Sequence, residues 1–266
     1  MSFAAEPQGG KMSYPEIDLL YLNEDDMVKA GVQDMSGCIE AMEEMFKLMK
    51  VGDYRMGGAN GNSHGSMVMF PKESKFPEMP VDGPDRRFMA MPAYLGGEFD
   101  MAGVKWYGSN AANRDKGLPR SILMLILNDN DTGAPKAFMS ANILSAYRTG
   151  AVPGVGFKHF AKEDASTLAI IGPGVMSKTA NTIPIPAVRV EDLIAEGKMT
   201  SDQIDDLGDI LLGKKPVHRK DDEIVIYSVG GMPTEDVAWG TMVYRNALKK
   251  GIGQKLNLWD KPKMVV

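Results

Sequence analysis

The chain has 266 residues, of which 44% are hydrophobic and 24% are charged, and its formal net charge at pH 7 is −5. This length suffices for one large domain or two ordinary ones, each with a hydrophobic core. A mildly acidic chain lacks the basic surface on which nucleic-acid binding depends, so that class of function is excluded.

The cysteine content and the absence of long apolar runs indicate the cellular compartment. Cys38 is the single cysteine, so no intrachain disulfide can form, and its place on the apolar side of a predicted helix favours a buried thiol. No apolar run approaches the roughly 18 residues of a membrane span, and residues 1–11 lack the basic and apolar regions of a signal peptide. We therefore expect a cytoplasmic protein without a membrane partner.

The first part of the chain is predicted to be an α+β unit. A strand is expected at Ile17–Leu22, and a helix at 36–51 begins with Ser36 as N-cap and ends at Gly52. Residues 53–87 form a long loop region with one strand candidate, and such loops are often functional. Further strands are predicted at 87–94, 101–107, 120–127 and 136–140. Their close succession indicates an antiparallel sheet.

The segment that follows changes to helical periodicity. Residues 141–159 are predicted to form an interrupted helix that connects two domains, because Gly150, Pro153 and Gly154 fall within it.

The last part of the chain returns to alternating strands and helices. A helix is predicted from Ser201 to the glycine at 213, and a buried strand at 223–229. A second helix is predicted to begin with Thr234 as its cap and to end at Gly251.

A glycine-rich turn at 172–174 is the feature that most favours a cofactor. An apolar strand candidate at 167–171 precedes it. In a dinucleotide-binding βαβ unit, such a turn presents backbone N–H groups and a helix N-terminus to a pyrophosphate. The motif alone is weak evidence for a cofactor, because Ser177 stands where the third glycine or alanine is expected. An ordinary strand-to-helix turn is the alternative interpretation.

The residues after this turn do not complete the unit. A βαβ unit takes roughly 30 or more residues, but Pro184 and Pro186 prevent a helix from running past about residue 182. Asp192 lies at the spacing of a ribose-binding acid, yet no second strand precedes it. We therefore do not assign it that role.

Two cationic side chains are candidates for a site. Lys105 interrupts an apolar strand, so it either faces solvent or lines a site. Arg148 lies on the predicted connector helix, and its planar fork suits a carboxylate or a phosphate, although a surface arginine is the commoner case. His64, His159 and His218 have no second ligand at a metal-binding spacing, so no metal site is predicted.

Several spaced motifs occur in a characteristic order. They lie at 103–106 with Asn110, at 117–119, 144–151, 170–174 and 228–231, and at Glu235-Asp236. Together they resemble the ornithine cyclodeaminase and mu-crystallin family of NAD(P)-dependent enzymes, which act at the C–N bond of amino acids or cyclic imines. The residues at 86–95 and 230–233 resemble those of a bacterial branch of the family that is sometimes labelled as the B component of a tyramine oxidase.

This resemblance implies the fold class and the partners. The fold would be α/β, with an α+β substrate-binding and dimerisation domain at 1–150 and 231–266. A truncated Rossmann-like domain with a parallel sheet would occupy 151–230. The cofactor would be NAD or NADP, the substrate an amino acid or imine that carries a carboxylate, and the assembly a homodimer.

The resemblance also implies the roles of individual residues. Lys105 would contact the substrate carboxylate and the reacting centre, and Arg148 the substrate carboxylate and a cofactor phosphate. The third basic ligand would be Arg55, with Arg86 or Arg87 as alternatives. The residues implied in cofactor binding are Arg148, Thr149, Gly172, Pro173, Gly174, Val175, Met176, Ser177, Ser228 and Gly230. The implied chemistry is hydride transfer between the amine-bearing carbon and nicotinamide, which gives an imine.

The sequence departs from this family between the glycine turn and residues 183–189. Family members have roughly three further strands there, as in the usual six-stranded arrangement. The ribose acid and the family's catalytic aspartate are lost with those strands. Either a real internal deletion or an incompletely recorded sequence explains the gap. Two functions therefore stay open, an enzyme of this family and a non-catalytic dimeric binding module that retains the dimerisation domain.

Overall fold

The computed structural model describes most of the first 162 residues and most of the last 34. The described residues are 15–58, 61–162, 164–165, 194, 196–198, 200, 204–217, 225–227 and 230–263. The glycine turn at 172–177 and Ser228 lie outside them, as do Ser201 and the prolines at 184 and 186.

In the described part of the chain, eight strands form one mixed sheet. The strands are β1 (Ile17–Leu22), β2 (Tyr54–Met56), β3 (Ser66–Met69), β4 (Arg87–Leu95), β5 (Met101–Ser109), β6 (Ser121–Asn128), β7 (Pro135–Ser140) and β8 (Gln254–Trp259). Their order is β2-β4-β5-β6-β7-β1-β8, and β3 also pairs with β4. The β1–β7 pair is parallel, whereas the other pairs are antiparallel.

Helices cover one face of this sheet. They are α1 (Glu24–Ala30), α2 (Met35–Val51), α3 (Asn142–Phe160), the short α4 (Leu207–Leu211) and α5 (Pro233–Lys250). Along β4 and β5 the odd-numbered residues are the more buried ones, so we call the face that carries them the inner face. A Cβ added at Gly240 of α5 would lie only 2.3 Å from Leu125 Cδ2 of β6. Helix α5 therefore packs directly on the inner face.

The predicted strands and helices of the first part are confirmed, with shifts at their ends. Helix α2 begins at Met35 rather than after Ser36, because Asp34 is the N-cap and its side chain accepts from the Gly37 N–H. Helix α5 begins at Pro233 with Met232 at the N-cap position and no side-chain cap, so Thr234 lies inside the helix. Strand β2, which has three residues, and strand β8 were not predicted.

The predicted interruption of the connector helix was wrong. Helix α3 runs unbroken through Pro153. Its glycines serve close packing instead, because a Cβ at Gly154 would lie 2.8 Å from Ile39 Cδ1 of α2. The buried face that includes Leu144, Ala151 and Val155 anchors the helix against the core.

One further expectation is tested in the last part of the chain. The described residues of the predicted strand at 223–229, namely 225–227, are not in a strand, and Ile226 is 74% exposed, so a buried strand is wrong for these three positions. Among the described residues, no helix is both long and apolar enough to cross a membrane.

Candidate functional site

Lys105 points into the protein rather than to solvent. It lies in the middle of β5, where register pairs it with Met91 of β4 and Leu125 of β6. Only 2% of the residue is exposed. A buried ammonium needs a charged partner, and helix α5 supplies it, because the Lys105 Nζ lies 2.6 Å from Asp236 Oδ2.

Arg148 reaches the same carboxylate from α3. Its Nε donates to Asp236 Oδ1 at 3.0 Å, and its Nη1 pairs with Glu235 Oε2. The residue is 5% exposed. Asp236 thus joins the two cations, one from the sheet and one from a helix. This brings the two predicted substrate ligands into one site.

The two carboxylates come from the first turn of α5. Glu235 and Asp236 follow Pro233 at the helix start, where the helix dipole favours negative charge. Glu235 and Asp236 are 1% and 0% exposed. Within the described residues, the Glu235 Oε1 is a buried atom without a hydrogen-bond partner. In the sequence this Glu-Asp pair was visible only as a family motif and as a helix start, so its part in the site was missed.

Burial sets the protonation behaviour of this four-residue cluster, Lys105, Arg148, Glu235 and Asp236. Desolvation, with the nearby Arg148 charge, lowers the pKa of Lys105 to about 8, although Asp236 opposes the shift. Desolvation raises the pKa of Glu235 to about 7, against the effect of Arg148. Burial opposes the charge of Arg148, but Asp236 and Glu235 outweigh it and raise the pKa of its guanidinium. Two groups of the cluster therefore titrate near neutral pH.

Arg55 does not join this cluster. It pairs with Tyr94 in the β2–β4 ladder, so its side chain lies on the outer face, opposite the helices. There it lines an open concavity of about 760 Å³ together with Tyr94 and Val104. Arg55 is exposed and donates to the carbonyl oxygens of Gly52 and Tyr54.

Of the two alternatives to Arg55, Arg87 is the one on the inner face. It begins β4 opposite Ser109 and forms an ion pair with Asp85. Its Nη2 lies 3.5 Å from Tyr107 Oη, and the Lys105 Nζ lies 5.8 Å from the centre of the same Tyr107 ring. Arg86 instead donates to the Val81 carbonyl. The geometry therefore favours Arg87 as the third basic group near Lys105.

The expected cofactor residues are only partly described. Thr149 follows Arg148 on α3 and is half-buried. A Cβ added at Gly230 would meet no atom of the described residues within 4 Å, whereas one at Gly231 would lie 3.0 Å from Arg148 Nη1. The backbone before α5 therefore lies against Arg148 at Gly231.

Comparison with known proteins places the chain in a family. The model of the ornithine cyclodeaminase/mu-crystallin family matches residues 31–198 and 187–251. The N-((2S)-2-amino-2-carboxyethyl)-L-glutamate dehydrogenase of Staphylococcus aureus is 32% identical over 161 residues, which is 60% of this chain and 44% of that enzyme. The match thus spans less than half of the staphylococcal enzyme.

Two further similarities cover more of the relatives. The alanine dehydrogenase of Archaeoglobus fulgidus is 23% identical over 326 aligned residues, covering 85% of this chain and 94% of that enzyme. Since this alignment is longer than the 266-residue chain, it contains gaps in this chain, as the short cofactor segment implies. The structure of Thermococcus litoralis Delta(1)-pyrroline-2-carboxylate reductase in complex with NADH and L-proline superposes with a TM-score of 0.71 at 20% identity, covering 89% of this chain and 99% of that one.

The family model spans well over half of the chain, and the described fold agrees with a solved α/β structure. The chain belongs to the ornithine cyclodeaminase/mu-crystallin family.

Proposed function

We propose that this protein is an NAD(P)-dependent oxidoreductase or cyclodeaminase-like enzyme that acts on the C–N bond of an amino acid or cyclic imine. The observation that carries the proposal is the buried pair of cations, Lys105 and Arg148, held by one carboxylate, Asp236. Two desolvated cations fixed side by side form a site for a substrate carboxylate. The S. aureus and A. fulgidus relatives are dehydrogenases by name, which supports this reaction class.

The ammonium group of Lys105 has more N–H donors than its hydrogen bond within the cluster uses. An ammonium group carries three N–H donors, and among the described residues one of them is directed at a carboxylate, that of Asp236. Lys105 can therefore hold a substrate carboxylate while Asp236 fixes its position. Because its pKa is lowered to about 8, Lys105 is charged at neutral pH and can also exchange a proton with the substrate.

The residues before α5 fit a nicotinamide. Gly230 has no side chain to hinder a flat ring that approaches the backbone, and an added Cβ there would meet no atom of the described part of the chain within 4 Å. In this proposal Ser228 and Gly230 hold the nicotinamide, and residues 172–177 hold the pyrophosphate. When bound, the nicotinamide exchanges a hydride with the amine-bearing carbon. The role of Arg148 at a cofactor phosphate stays a prediction, because both carboxylates of α5 already engage its guanidinium.

A cofactor titration tests this proposal on the whole chain. NADH or NADPH added to the protein should give saturable binding, detected by nicotinamide fluorescence. The variant Gly174→Val should weaken it at least tenfold, because a side chain in the glycine turn would obstruct the pyrophosphate. Gly83→Val is the matched control, because a Cβ added at Gly83 lies 3.9 Å from its nearest described neighbour, the Cβ of Arg86. The same affinity in the wild-type chain and Gly174→Val would count against the assigned turn.

The second candidate function is a non-catalytic dimeric module that retains the family's dimerisation domain. The outer face of the sheet offers a contact surface for such a dimer, because Phe88 and Trp106 stack there at 5.9 Å and are 41% and 37% exposed. Ile122 and Val68 extend this apolar patch, and exposed patches of this kind mark protein contacts. A homodimer is compatible with either function. A dimer in light scattering without turnover of any amino acid or imine would favour the module.

The tyramine oxidase label suggested by residues 86–95 and 230–233 stays a prediction. None of the three relatives, from S. aureus, A. fulgidus and T. litoralis, carries that name. Substrate assays identify the part of the substrate other than its carboxylate. Cofactor assays decide between NAD and NADP.

A further inference from the structure

The inner face of the sheet carries a second cation further along β5 and β4. Lys105, Tyr107 and Ser109 follow one another on the inner face of β5, and Ser109 is paired with Arg87 of β4. Residues that share one face of a strand are about 7 Å apart. Arg87 therefore lies two such steps from Lys105, and Tyr107 stands between them.

The side chains bring the two cations closer than their backbone positions suggest. The Lys105 Nζ and the Arg87 Cζ each lie 5.8 Å from the centre of the Tyr107 ring. The two cationic groups are therefore no farther apart than about 11.6 Å, which is twice 5.8 Å. The Tyr107 hydroxyl donates to Met89 Sδ at 3.0 Å and lies 3.5 Å from Arg87 Nη2. These contacts hold the ring between the cations.

Asp85 fixes Arg87 without cancelling the positive charge of this region. Its Oδ1 pairs with Arg87 Nη1, and its Oδ2 accepts from Arg120 Nη1 and from Ser109 Oγ. One carboxylate thus faces two guanidinium groups, which leaves one net positive charge. A guanidinium has five N–H donors, and in the described part of the chain Asp85 and Tyr107 engage Nη1 and Nη2 of Arg87. Donors therefore remain for an anionic ligand.

Helix α5 covers Lys105 more completely than it covers Arg87. Near the end of the helix, Arg245 donates to the Phe99 carbonyl just before β5, whereas Asp236 in its first turn meets Lys105 in the middle of β5. The helix therefore runs antiparallel to β5, and its N-terminus lies near Lys105. The side chain of Lys105 is 3% exposed, but that of Arg87 is 27% exposed. A ligand held at Lys105 can thus extend toward Arg87.

We propose that Arg87 binds a second carboxylate of the substrate, which is an amino dicarboxylic acid the size of aspartate or glutamate, or the corresponding imine. This inference rests on the proposed oxidoreductase function. The α-carboxylate lies at Lys105 and Arg148, and the aliphatic part of the substrate packs on the Tyr107 ring. Contacts of about 2.8 Å at each cation leave at most roughly 6 Å between the two carboxylates, which suits these amino acids. A substrate with one carboxylate would leave Arg87 without an anion.

The first arm of the test measures binding, so it needs no turnover. L-glutamate and L-aspartate are compared by calorimetry with L-glutamine and L-asparagine, on the full-length chain with NADH present. Each acid should bind at least about tenfold more tightly than its amide, because only the acid gives a charge-assisted contact with Arg87. Equal affinities for acid and amide in the wild-type chain would overturn the proposal, and this comparison needs no variant.

Substitutions then assign the preference to one side chain. Arg87→Met should abolish the preference for the acids and leave the affinity for the amides nearly unchanged, whereas Arg87→Lys should retain part of it. Arg86→Met is the matched control, because Arg86 donates to the Val81 carbonyl, and it should keep the full preference. Thermal unfolding confirms that each variant is folded. A preference that survives in Arg87→Met would place the second carboxylate elsewhere and refute the assignment.

The second arm measures turnover with NAD⁺ and NADP⁺. The kcat/KM of L-glutamate or L-aspartate should exceed that of L-alanine and L-proline at least tenfold, and Arg87→Met should remove this difference. If L-alanine or L-proline is turned over as efficiently as the acids, the substrate class is wrong although the proposed function stands. If no amino acid is oxidised and no imine is reduced, but the acids bind in a manner that depends on Arg87, the proposed function fails and the dicarboxylate site stands.

Discussion

Asp236 Oδ2 lies 2.6 Å from the Nζ of Lys105, with both side chains at most 3% exposed. The same carboxylate also accepts from the Nε of Arg148. One acidic residue in the first turn of α5 thus connects β5 to α3, and two buried cations depend on it.

Replacing Asp236 should destabilise the fold strongly. Asp236→Asn leaves Lys105 and Arg148 buried with less compensating charge, which costs on the order of 3–5 kcal/mol for a buried pair that loses one partner. Urea denaturation measures the change. Glu44→Gln is the matched control, because Glu44 pairs with Lys47 on the surface of α2 and should change stability by less than about 1 kcal/mol. Equal effects of the two substitutions would show that the buried pair does not support the fold.

Glu235 should make stability depend on pH below neutrality. Burial raises its pKa from the ordinary 4.5 to about 7, so the folded state binds a proton that the unfolded state releases. The stabilising contribution is complete below about pH 4.5 and is lost as the pH rises through 7. Glu235→Gln should remove this component, on the order of 1–3 kcal/mol between pH 5 and 7. Denaturation at several pH values measures it, and parallel pH curves for the two proteins would contradict the assignment.

The two glycines before α5 offer a matched pair of substitutions. Gly231→Ala places a Cβ 3.0 Å from Arg148 Nη1, and the guanidinium cannot move away because Glu235 and Asp236 hold it. We expect a loss of about 1 kcal/mol. Gly230→Ala, where an added Cβ meets no atom within 4 Å among the residues that the structure describes, should be nearly neutral for stability but should weaken nicotinamide binding. Thermal unfolding and cofactor titration separate the two effects. A more destabilising Gly230→Ala would be inconsistent with this geometry.

The apolar patch of the outer face should be a contact between two copies of the chain. Trp106→Glu introduces a charge where Phe88 and Trp106 stack, and charges are depleted from interface cores. Light scattering should show a dimer for the wild-type chain and a monomer for the variant. Val51→Glu, at the exposed end of α2, should remain dimeric. A Trp106→Glu protein that keeps the wild-type mass would place the interface elsewhere.

Residues whose charge conflicts with their surroundings were identifiable from the sequence. Lys105 was one, because an ammonium within an apolar strand either faces solvent or lines a site. Arg148 was a candidate for its planar guanidinium, and the family motif that contains it gave it a role. Asp236 and Glu235 were missed, since acidic residues at a helix start are normally explained by the helix dipole. Their burial becomes visible only once α5 packs on the inner face.

The faces of the sheet were harder to predict than its strands. Arg55 could not be assigned to a face of the sheet from the sequence, because β2 was not recognised as a strand. Three residues of β2 pair with β4 and place Arg55 on the outer face, and a one-residue change in register would have reversed that result. Proximity across β4 and β5 is a tertiary property that no local spacing reveals.

The most direct measurement is turnover by the full-length chain with both nicotinamide cofactors. A panel of α-amino acids in the oxidative direction and of cyclic imines in the reductive direction is followed by nicotinamide absorbance, for the wild-type chain and Lys105→Met. We predict turnover of at least one carboxylate-bearing substrate, and a loss of kcat/KM of about 100-fold or more in Lys105→Met with NADH binding retained. An absence of turnover with every substrate, or equal kcat/KM in the two proteins, would contradict the assignment of Lys105 and Arg148 as the substrate site.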